Sequence, residues 1–319
     1  MRVKTLTASY LLDWILGDPE FVPHPVRYIG KAIAYGECAL RRRGSGPLVE
    51  FIGGLVLTSG IVVGSAVAVS KLLSTLNHLS PSGSRAVEIY LAASCLATRN
   101  LLDEAKCVVQ AMEDSDLERA RLRLSRIVGR DTAGLDASGI ARAVIETLAE
   151  SLCDGVIAPL TYLVIGGVPM AMAYKAVNTL DSMIGHRDED YEWFGKTAAR
   201  LDDAANFLPA RIAALLVCSA CAIFEPSNAC SAWRTWRLDG LRHASPNAGQ
   251  TESAMAGALR VQLGGVNMYD GECVETALLG PGFPGPEVHH VRKALRITAV
   301  ASVLGFAVGC LLLSGRRHG

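Results

Sequence analysis

Charge is what this sequence has least of. Of its 319 residues only 19% are Asp, Glu, Lys or Arg and 50% are apolar, against roughly 25% charged in an ordinary soluble protein. Basic and acidic residues number 31 each, so there is no global basic field to hold nucleic acid and no acidic tail to act as a solvating segment. The nine cysteines form no zinc pattern. Cys218 and Cys221 come nearest, inside the apolar run "IAALLVCSACAIF", without a second pair or a histidine at ligand spacing. They read as small buried hydrophobes in a reducing or lipid environment. A secretory cleavage site is missing too: Asp13 interrupts the apolar stretch of "MRVKTLTASYLLDWILGDP" and no small-x-small site follows, so the segment is expected to be retained. The sequence pattern holds no internal repeat, no low-complexity tract, no β-type alternation and no Walker A phosphate loop.

What is present is apolar length. The runs 51–70, "FIGGLVLTSGIVVGSAVAVS", and 297–315, "ITAVASVLGFAVGCLLLSG", are uncharged over the roughly 20 residues that cross a bilayer, and their Gly, Ala and Ser suit close helix approach. The run 155–174 is as long but carries Pro159, Gly166, Gly167 and Pro169, and is expected to be broken, re-entrant or buried. The run 207–224 keeps only thirteen uncharged residues between Arg211 and Glu225, and 86–98 is a weaker candidate that would return the chain after 51–70. Leu101, Leu102, Ala105, Val108, Val109 and Met112, then Leu117, Ala120, Leu124 and Ile127, recur at helical spacing, with Asp116 placed to cap the second series. "GPGFPGP" at 280–286 marks a turn before the last helix. The expected fold is mainly α: a polytopic integral membrane protein, one membrane-embedded domain over 1–319, with helical polar segments between apolar spans. Arg27, Lys31, Arg41, Arg42 and Arg43 outnumber Lys71 and Arg85 beyond the first span, so the positive-inside tendency puts 18–50 in the cytoplasm. The segment 99–206 is expected to reach the same side throughout.

Four polar blocks carry the chemistry. They are "DWILGDPEFVPHPVRYIG" (13–30), "GRDT" (129–132) with "RAVIETLAESLCDGVIAPL" (142–160), "YKAVNTLDSMIG" with "FGKTAARLDDAANFLPAR" (174–211), and "SPNAGQTESAMAGAL" (245–259). In the third, Asn178 and Asp181 lie three apart and Arg200, Asp203 and Asn206 repeat at that interval, so each set lines one helix face. Carboxylates beside amides suit a hard, oxygen-seeking cation such as Mg²⁺, and a neighbouring Lys and Arg suit phosphate. The plainer alternative is a set of ion pairs along the helices. His24, held between Pro23 and Pro25, belongs either to a site or to a rigid turn. "SPNAGQTES" reads as a turn capped by Ser or Thr before a helix, a start that either binds an anion or is simply capped.

Taken in order, "DWILGDPEFVPHPVRYIG", "IVGRDTAGLD", "ESLCDGVIAPLTYLVIGG", "YKAVNTLDSMIGHRDEDYEWFGKTAARLDDAANFLPARI" and "SPNAGQTESAMAGALRVQLGG" resemble the adenosylcobinamide-phosphate synthases of cobalamin (vitamin B12) biosynthesis, over most of the chain from about residue 10 to 275. The resemblance implies an integral enzyme of the cytoplasmic membrane that uses ATP to join adenosylcobyric acid to (R)-1-amino-2-propanol or its phosphate. The partners it implies are the corrinoid, the amino alcohol and membrane lipid, and it leaves association with other enzymes of the pathway open. The sequence departs from the family at Leu152 and Cys153 and over 250–253, which are left outside the expected catalytic set.

On the matching positions, Lys175, Asn178, Asp181, Arg200, Asp203, Glu150 and Asp154 are the expected catalytic residues. Asp18, His24, Arg27, Arg130, Asp131, Asn206 and Asn247 are expected to bind substrate, and Asp181, Asp202 and Asp203 to hold Mg²⁺. A propionate carboxylate is a poor electrophile, so amide formation needs activation, by reaction class through an acyl phosphate made from ATP. Catalysis is then positioning and charge neutralisation, with Lys175, Arg200 and Arg130 facing developing charge and Glu150, Asp154 or His24 taking the ammonium proton. A transporter would also explain the broken run 155–174, but would call for repeat symmetry. An alcohol phosphotransferase would need a second Asp three residues upstream of "CDGVIAP". A non-catalytic scaffold for corrinoid enzymes is the third rival.

Overall fold

The computed structural model describes residues 1–18, 23–42, 44, 46–186, 190–269 and 271–316. Four residues of the His24 block (19–22), Arg43 of the basic segment and 187–189 of the acidic patch lie outside the described residues. The chain is a mainly helical membrane protein. Its elements run α1 (Val3–Leu16), α2 (Pro25–Leu40), α3 (Pro47–Leu79), α4 (Pro81–Ala93), α5 (Thr98–Glu113), α6 (Leu117–Leu124), α7 (Ala137–Leu152), a π-helical turn (Cys153–Ile157), α8 (Ala158–Ile184), α9 (Lys196–Phe224), α10 (Ala229–Asp239), α11 (Ala248–Leu259), β1 (Leu263–Tyr269), β2 (Glu272–Leu279) and α12 (Val288–Gly315).

Among the described residues four helical runs are long and apolar enough to cross a membrane: α3, α9, α12 and the stretch Ala137–Ile184 formed by α7, the π-helical turn and α8. Only 28% of the most apolar window of α3 is buried within the protein, so its remaining apolar surface requires lipid. The stretch 86–98 is not one helix. α4 ends at Ala93, residues 94–97 turn, and Thr98 opens α5.

Of the four residues marked as breakers of 155–174, one breaks the helix. Gly167 has φ 69 and ψ −161, while Pro159 sits in the first turn of α8 and Pro169 follows the break. That conformation belongs almost exclusively to glycine. The proline two residues on cannot donate the hydrogen bond that would close the gap.

The absence of strands is corrected by the structure. β1 and β2 pair antiparallel, with Tyr269 opposite Glu272 and a slip between Leu263 and Gly265. The hairpin escapes an alternation search because Gly264 and Gly265 interrupt β1 and most of β2 is exposed. The sequence signal was the dipeptide Asp270-Gly271.

The chain divides into two compact units. The first comprises Met1–Ala97, Ala158–Asn206 and Val308–Gly319. Here α3 packs on α2, α4 and α8. Gly54 of α3 must be glycine, because a Cβ there would stand 1.8 Å from the carbonyl oxygen of Phe194 in the segment leading to α9. The same segment is anchored on the end of α2. The Tyr191 hydroxyl donates to Glu37 Oε1 at 2.8 Å, and the Arg41 guanidinium lies 4.0 Å from the Tyr191 ring centre, a cation–π contact.

The second unit comprises Thr98–Ile157 and Phe207–Ala307. α7 is its core helix, with Ile140, Val144, Ile145 and Leu148 fully buried. Asp136 caps α7 through Gly139 N at 2.7 Å, and Asp116 caps α6 through Arg119 N at 2.9 Å, as expected of Asp at that position. α11 packs on α10 and α7, and every one of its residues after Ala248 is buried.

Candidate functional site

The predicted site residues fall into two sets, each inside one unit. In the first unit, the part of α8 beyond Gly167 carries Tyr174, Lys175, Asn178 and Asp181, and the first turns of α9 carry Arg200, Asp202, Asp203 and Asn206. The buried Tyr174 hydroxyl donates to Asn206 Oδ1 at 2.9 Å, and Asn206 Nδ2 donates to Asp202 Oδ2 at 2.9 Å. Tyr162 stacks on Tyr174 with ring centres 5.0 Å apart and donates to the Ala205 carbonyl at 2.8 Å. The Asn178 amide also reaches the partly buried Asp202, whose charged neighbours are Asp203 and Lys175. Asp202 Oδ1 is buried without a hydrogen bond of regular geometry among the described residues.

Lys175, Asn178, Asp202, Asp203 and Asn206 are therefore brought together around one carboxylate. Asp181 lies further along α8, folded over Gly185, where a Cβ would stand 2.1 Å from its Oδ1. Arg200 is exposed. Ser182, on the same helix, spends its hydroxyl on the Asn178 carbonyl at 2.9 Å.

The remaining residues of this set approach from the N-terminal side. His24 Nε2 lies 3.1 Å from Asp18 Oδ1, and the Tyr90 hydroxyl donates to the Pro23 carbonyl, fixing the chain that enters α2. Asp18, His24, Tyr90 and Ser94 line a cavity of about 60 Å³. Burial pushes the neighbouring Cys95 thiol up to about 12, with Lys175 opposing and Asp18 adding to the shift. Both charges thus lie within electrostatic reach of one buried thiol. Arg27 is exposed on the first turn of α2.

The second unit gathers a different set. Glu146 of α7, 4% exposed, accepts from Gly264 N at 2.8 Å through Oε1, and its Oε2 lies 2.6 Å from Arg130 Nη2. Arg130 Nη1 donates to Asn267 Oδ1 at 2.7 Å. Arg142 reaches the same Asn267 oxygen at 3.1 Å and the Val266 carbonyl at 2.8 Å. "GRDT" thereby docks on the hairpin, and Asp131 completes the attachment. Its backbone N–H donates to Met268 O at 2.8 Å and its Oδ2 accepts from Gly271 N at 2.9 Å. Asp131 is accordingly a clamp on the hairpin turn.

Burial, then Glu146 and Glu150, push the Glu252 carboxyl well above the ordinary carboxylate range, with Arg130 opposing. Glu150 thus stands near Glu252, on the exposed face of α7, and Asp154 sits in the π-helical turn that follows. Asn247 accepts from Arg211 Nη1 at 3.3 Å. The residue that caps α11 is Ser245, whose Oγ accepts from the N–H groups of Asn247 and Ala248, each at 3.3 Å. Sequence reasoning missed Glu146, Glu252, Arg142, Asn267 and Tyr174. Glu252 is the one charged residue of α11, and Glu146 stands four residues after Arg142 and four before Glu150 on one face of α7; those placements were the signal available.

For Mg²⁺ the first set fits. Asp202 offers a buried oxygen, Oδ1, without a hydrogen bond of regular geometry among the described residues, and Asp203 is its neighbour. Among the described residues no three or more His, Cys, Asp or Glu side chains are gathered as a ready-made metal site; Mg²⁺ commonly takes one or two carboxylates and completes its shell from phosphate and water.

The comparisons with known proteins agree with one another. A family model described as CobD/Cbib protein matches residues 6–298. The cobalamin biosynthesis protein CbiB of Salmonella typhi is 41% identical over 312 residues, covering 97% of this chain and 96% of that protein. The cobalamin biosynthesis protein CobD of Citrobacter koseri is 42% identical over 318 residues, covering 98% and 99%. No solved structure matches. The chain belongs to the CobD/CbiB family.

Proposed function

We propose that this protein is an enzyme of cobalamin biosynthesis, a multi-pass protein of the cytoplasmic membrane. In this reading it forms the amide bond between adenosylcobyric acid and (R)-1-amino-2-propanol or its phosphate at the expense of ATP. Family membership supports the pathway. The observation that carries the chemistry is the cluster of Lys175, Asn178, Asp203 and Asn206 around Asp202, because an acyl-activating ligase must hold phosphate and metal against one another. Magnesium bound there would neutralise phosphate charge, with Asp202 and Asp203 as its oxygen donors and Asp181 as the third carboxylate assigned to it. Asn206 and Asn178 orient the Asp202 carboxylate. Lys175 supplies positive charge to the phosphate, and Arg200 is assigned the same role from the exposed face of α9. His24, paired with Asp18, and Arg27 are assigned to the substrate.

The test is product identification. Purified protein with ATP, Mg²⁺, adenosylcobyric acid and a mixture of aminopropanol, ethanolamine and their phosphates should consume ATP only when corrinoid and amine are both present. Mass spectrometry should then show an amide between them. ATP left intact under those conditions, with labelled corrinoid moving across a proteoliposome membrane, would favour a carrier, the reading to which the break at Gly167 also lends itself.

A further inference from the structure

A cavity of about 450 Å³ opens between α2 and α3 within the first unit, inside the roughly 300–1,000 Å³ range of small-molecule sites. The two helices run antiparallel and touch at the end of α2, where a Cβ at Gly36 would stand 2.3 Å from Leu57 Cδ1 and one at Gly53 3.0 Å from the Leu40 carbonyl oxygen. Towards the start of α2 the cavity separates them. Gly60, Gly64 and Ala68 follow one another at four-residue spacing along the α3 wall, and a Cβ at either glycine would meet nothing within 4 Å. Pro25 and Tyr28 form the opposite wall, and the buried Leu91 and Met172 close the floor. The lining is almost entirely apolar.

This groove adjoins the candidate site of the same unit on three elements. Pro23 and Pro25 on its rim flank His24. The Pro23 carbonyl is held by the hydroxyl of Tyr90, next to Leu91 on α4. Met172 stands one turn before Lys175 on α8, and a Cβ at Gly30 would lie 3.6 Å from the Met183 sulfur, so α2 crosses the stretch of α8 that carries Lys175, Asn178 and Asp181. One cation at the rim has nothing opposite it. Lys31 is exposed, its Nζ lies 5.9 Å from the centre of the Tyr28 ring, and among the described residues it has no acidic partner. The complement of such a place is an apolar body bearing one acidic group. Of the three reactants in the reading above, ATP is charged and the amino alcohol is small and polar. The corrinoid alone joins a methyl-bearing macrocycle to a single carboxylate.

We propose that the groove between α2 and α3 holds the methyl-bearing edge of the corrinoid macrocycle, with Lys31 receiving its propionate carboxylate. The proposal rests on the ligation reading above and names the corrinoid subsite within it. Glycine at 60 and 64 lets a flat ring approach the α3 backbone, where a larger side chain would hold it off. The Lys31 ammonium gives the carboxylate a charge-assisted partner beside the stretch of α8 that carries Lys175.

The test needs neither ATP nor amine. Purified full-length protein in detergent is titrated with adenosylcobyric acid and, separately, with adenosylcobinamide, whose propionate is already an amide. Wild type should bind both, the acid about 10-fold or more tightly than the amide. Lys31→Met should remove that difference by weakening the acid alone. Gly64→Leu, which favours the helix and fills the groove, should weaken both by about 10-fold or more, and Gly60→Leu should do the same. No corrinoid binding by wild type, equal weakening of acid and amide in Lys31→Met, or unchanged affinities in Gly64→Leu would each overturn the proposal. Unchanged affinities together with loss of a co-purified phospholipid from the native mass spectrum of Gly64→Leu would give the groove to a lipid chain instead. The wild-type and Lys31→Met measurements decide even if the leucine variants fail to fold. If both corrinoids bind as expected but no amide is ever formed, the ligation reading fails and the subsite stands. If Gly64→Leu makes amide with an unchanged KM for the corrinoid, the ligation reading stands and the subsite falls.

Discussion

Tyr174 on α8 donates its hydroxyl hydrogen to Asn206 Oδ1 on α9, and this one bond fixes which way the Asn206 amide faces. With Oδ1 committed to Tyr174, Nδ2 points to Asp202 Oδ2, both contacts spanning 2.9 Å. The carboxylate is thus oriented by a residue that does not touch it. Tyr174 is in turn held by the stacked Tyr162.

Tyr174→Phe removes the donor and leaves Asn206 Oδ1 buried without it, a loss worth about 1–3 kcal/mol. The expected outcome is a protein that still folds, unfolds at modestly lower temperature in detergent, and ligates with lower kcat because Asp202 is no longer aligned. Wild-type kcat in this variant would exclude the relay from the site.

Asp202→Asn keeps the shape of the side chain while removing its charge. Ligation should be abolished, with the melting temperature preserved or raised, since a partly buried charge disappears. Asp203→Asn should be similarly severe. Asp181→Asn, whose carboxylate folds over Gly185, should lose activity in a form that higher Mg²⁺ partly restores. Magnesium titrations of initial rate on the three variants check the ranking, and full activity in Asp202→Asn at ordinary Mg²⁺ would remove the metal assignment.

The long spans were legible because lipid imposes a length that composition alone reveals. The 51–70 run lies within α3 and 297–315 within α12. The first polar cluster was legible for a related reason, since Lys175 and Asn178 share a helical spacing, as do Asp203 and Asn206, and spacing is local. The Glu146–Arg130–Asn267 network was not. Glu146 is 118 residues from Gly264 and Arg130 is 137 from Asn267, and no periodicity encodes partners that far apart. The hairpin was missed for the opposite reason, its glycines and exposed face erasing a local pattern that only Asp270-Gly271 preserved.

Gly64 and Gly167 should respond differently to the same substitution. A methyl at 167 has room, its nearest neighbour 3.9 Å away, but the φ of 69 forbids it, so Gly167→Ala should cost about 1–3 kcal/mol. At 64, inside α3, a methyl meets nothing within 4 Å on a helical backbone. Thermal unfolding in detergent should therefore show Gly64→Ala at or above wild type and Gly167→Ala clearly weakened. Equal effects would mean that α8 is not broken at Gly167.

His24→Gln and Arg27→Lys probe the start of α2. Gln can still hydrogen-bond Asp18 but cannot carry charge, and Lys lacks the planar fork of Arg. Each should raise the KM for corrinoid or nucleotide with little change in stability, because both side chains lie at the edge of the unit. Unchanged steady-state kinetics would leave "PHPVR" as the turn that starts α2.

The membrane side of the loop before α9 follows from its contacts. Tyr191 is bound to Glu37, the Arg41 guanidinium donates to the Asp190 carbonyl, and Phe194 lies against Gly54. Residues 190–194 therefore share a side with the end of α2, whatever path 155–174 takes. The positive-inside tendency of 18–50 predicts that this side is the cytoplasm. In intact cells an impermeant maleimide should fail to label either Cys38, which is exposed on α2, or a cysteine placed at the exposed Glu192, each as the sole reactive thiol. Both should become reactive once the membrane is opened. Labelling of both from outside would reverse the orientation and separate these residues from cytoplasmic ATP. Labelling of position 192 alone would mean that the loop does not rest on α2, and with it the placement of Lys175 and Asp202 on one side of the bilayer would fall.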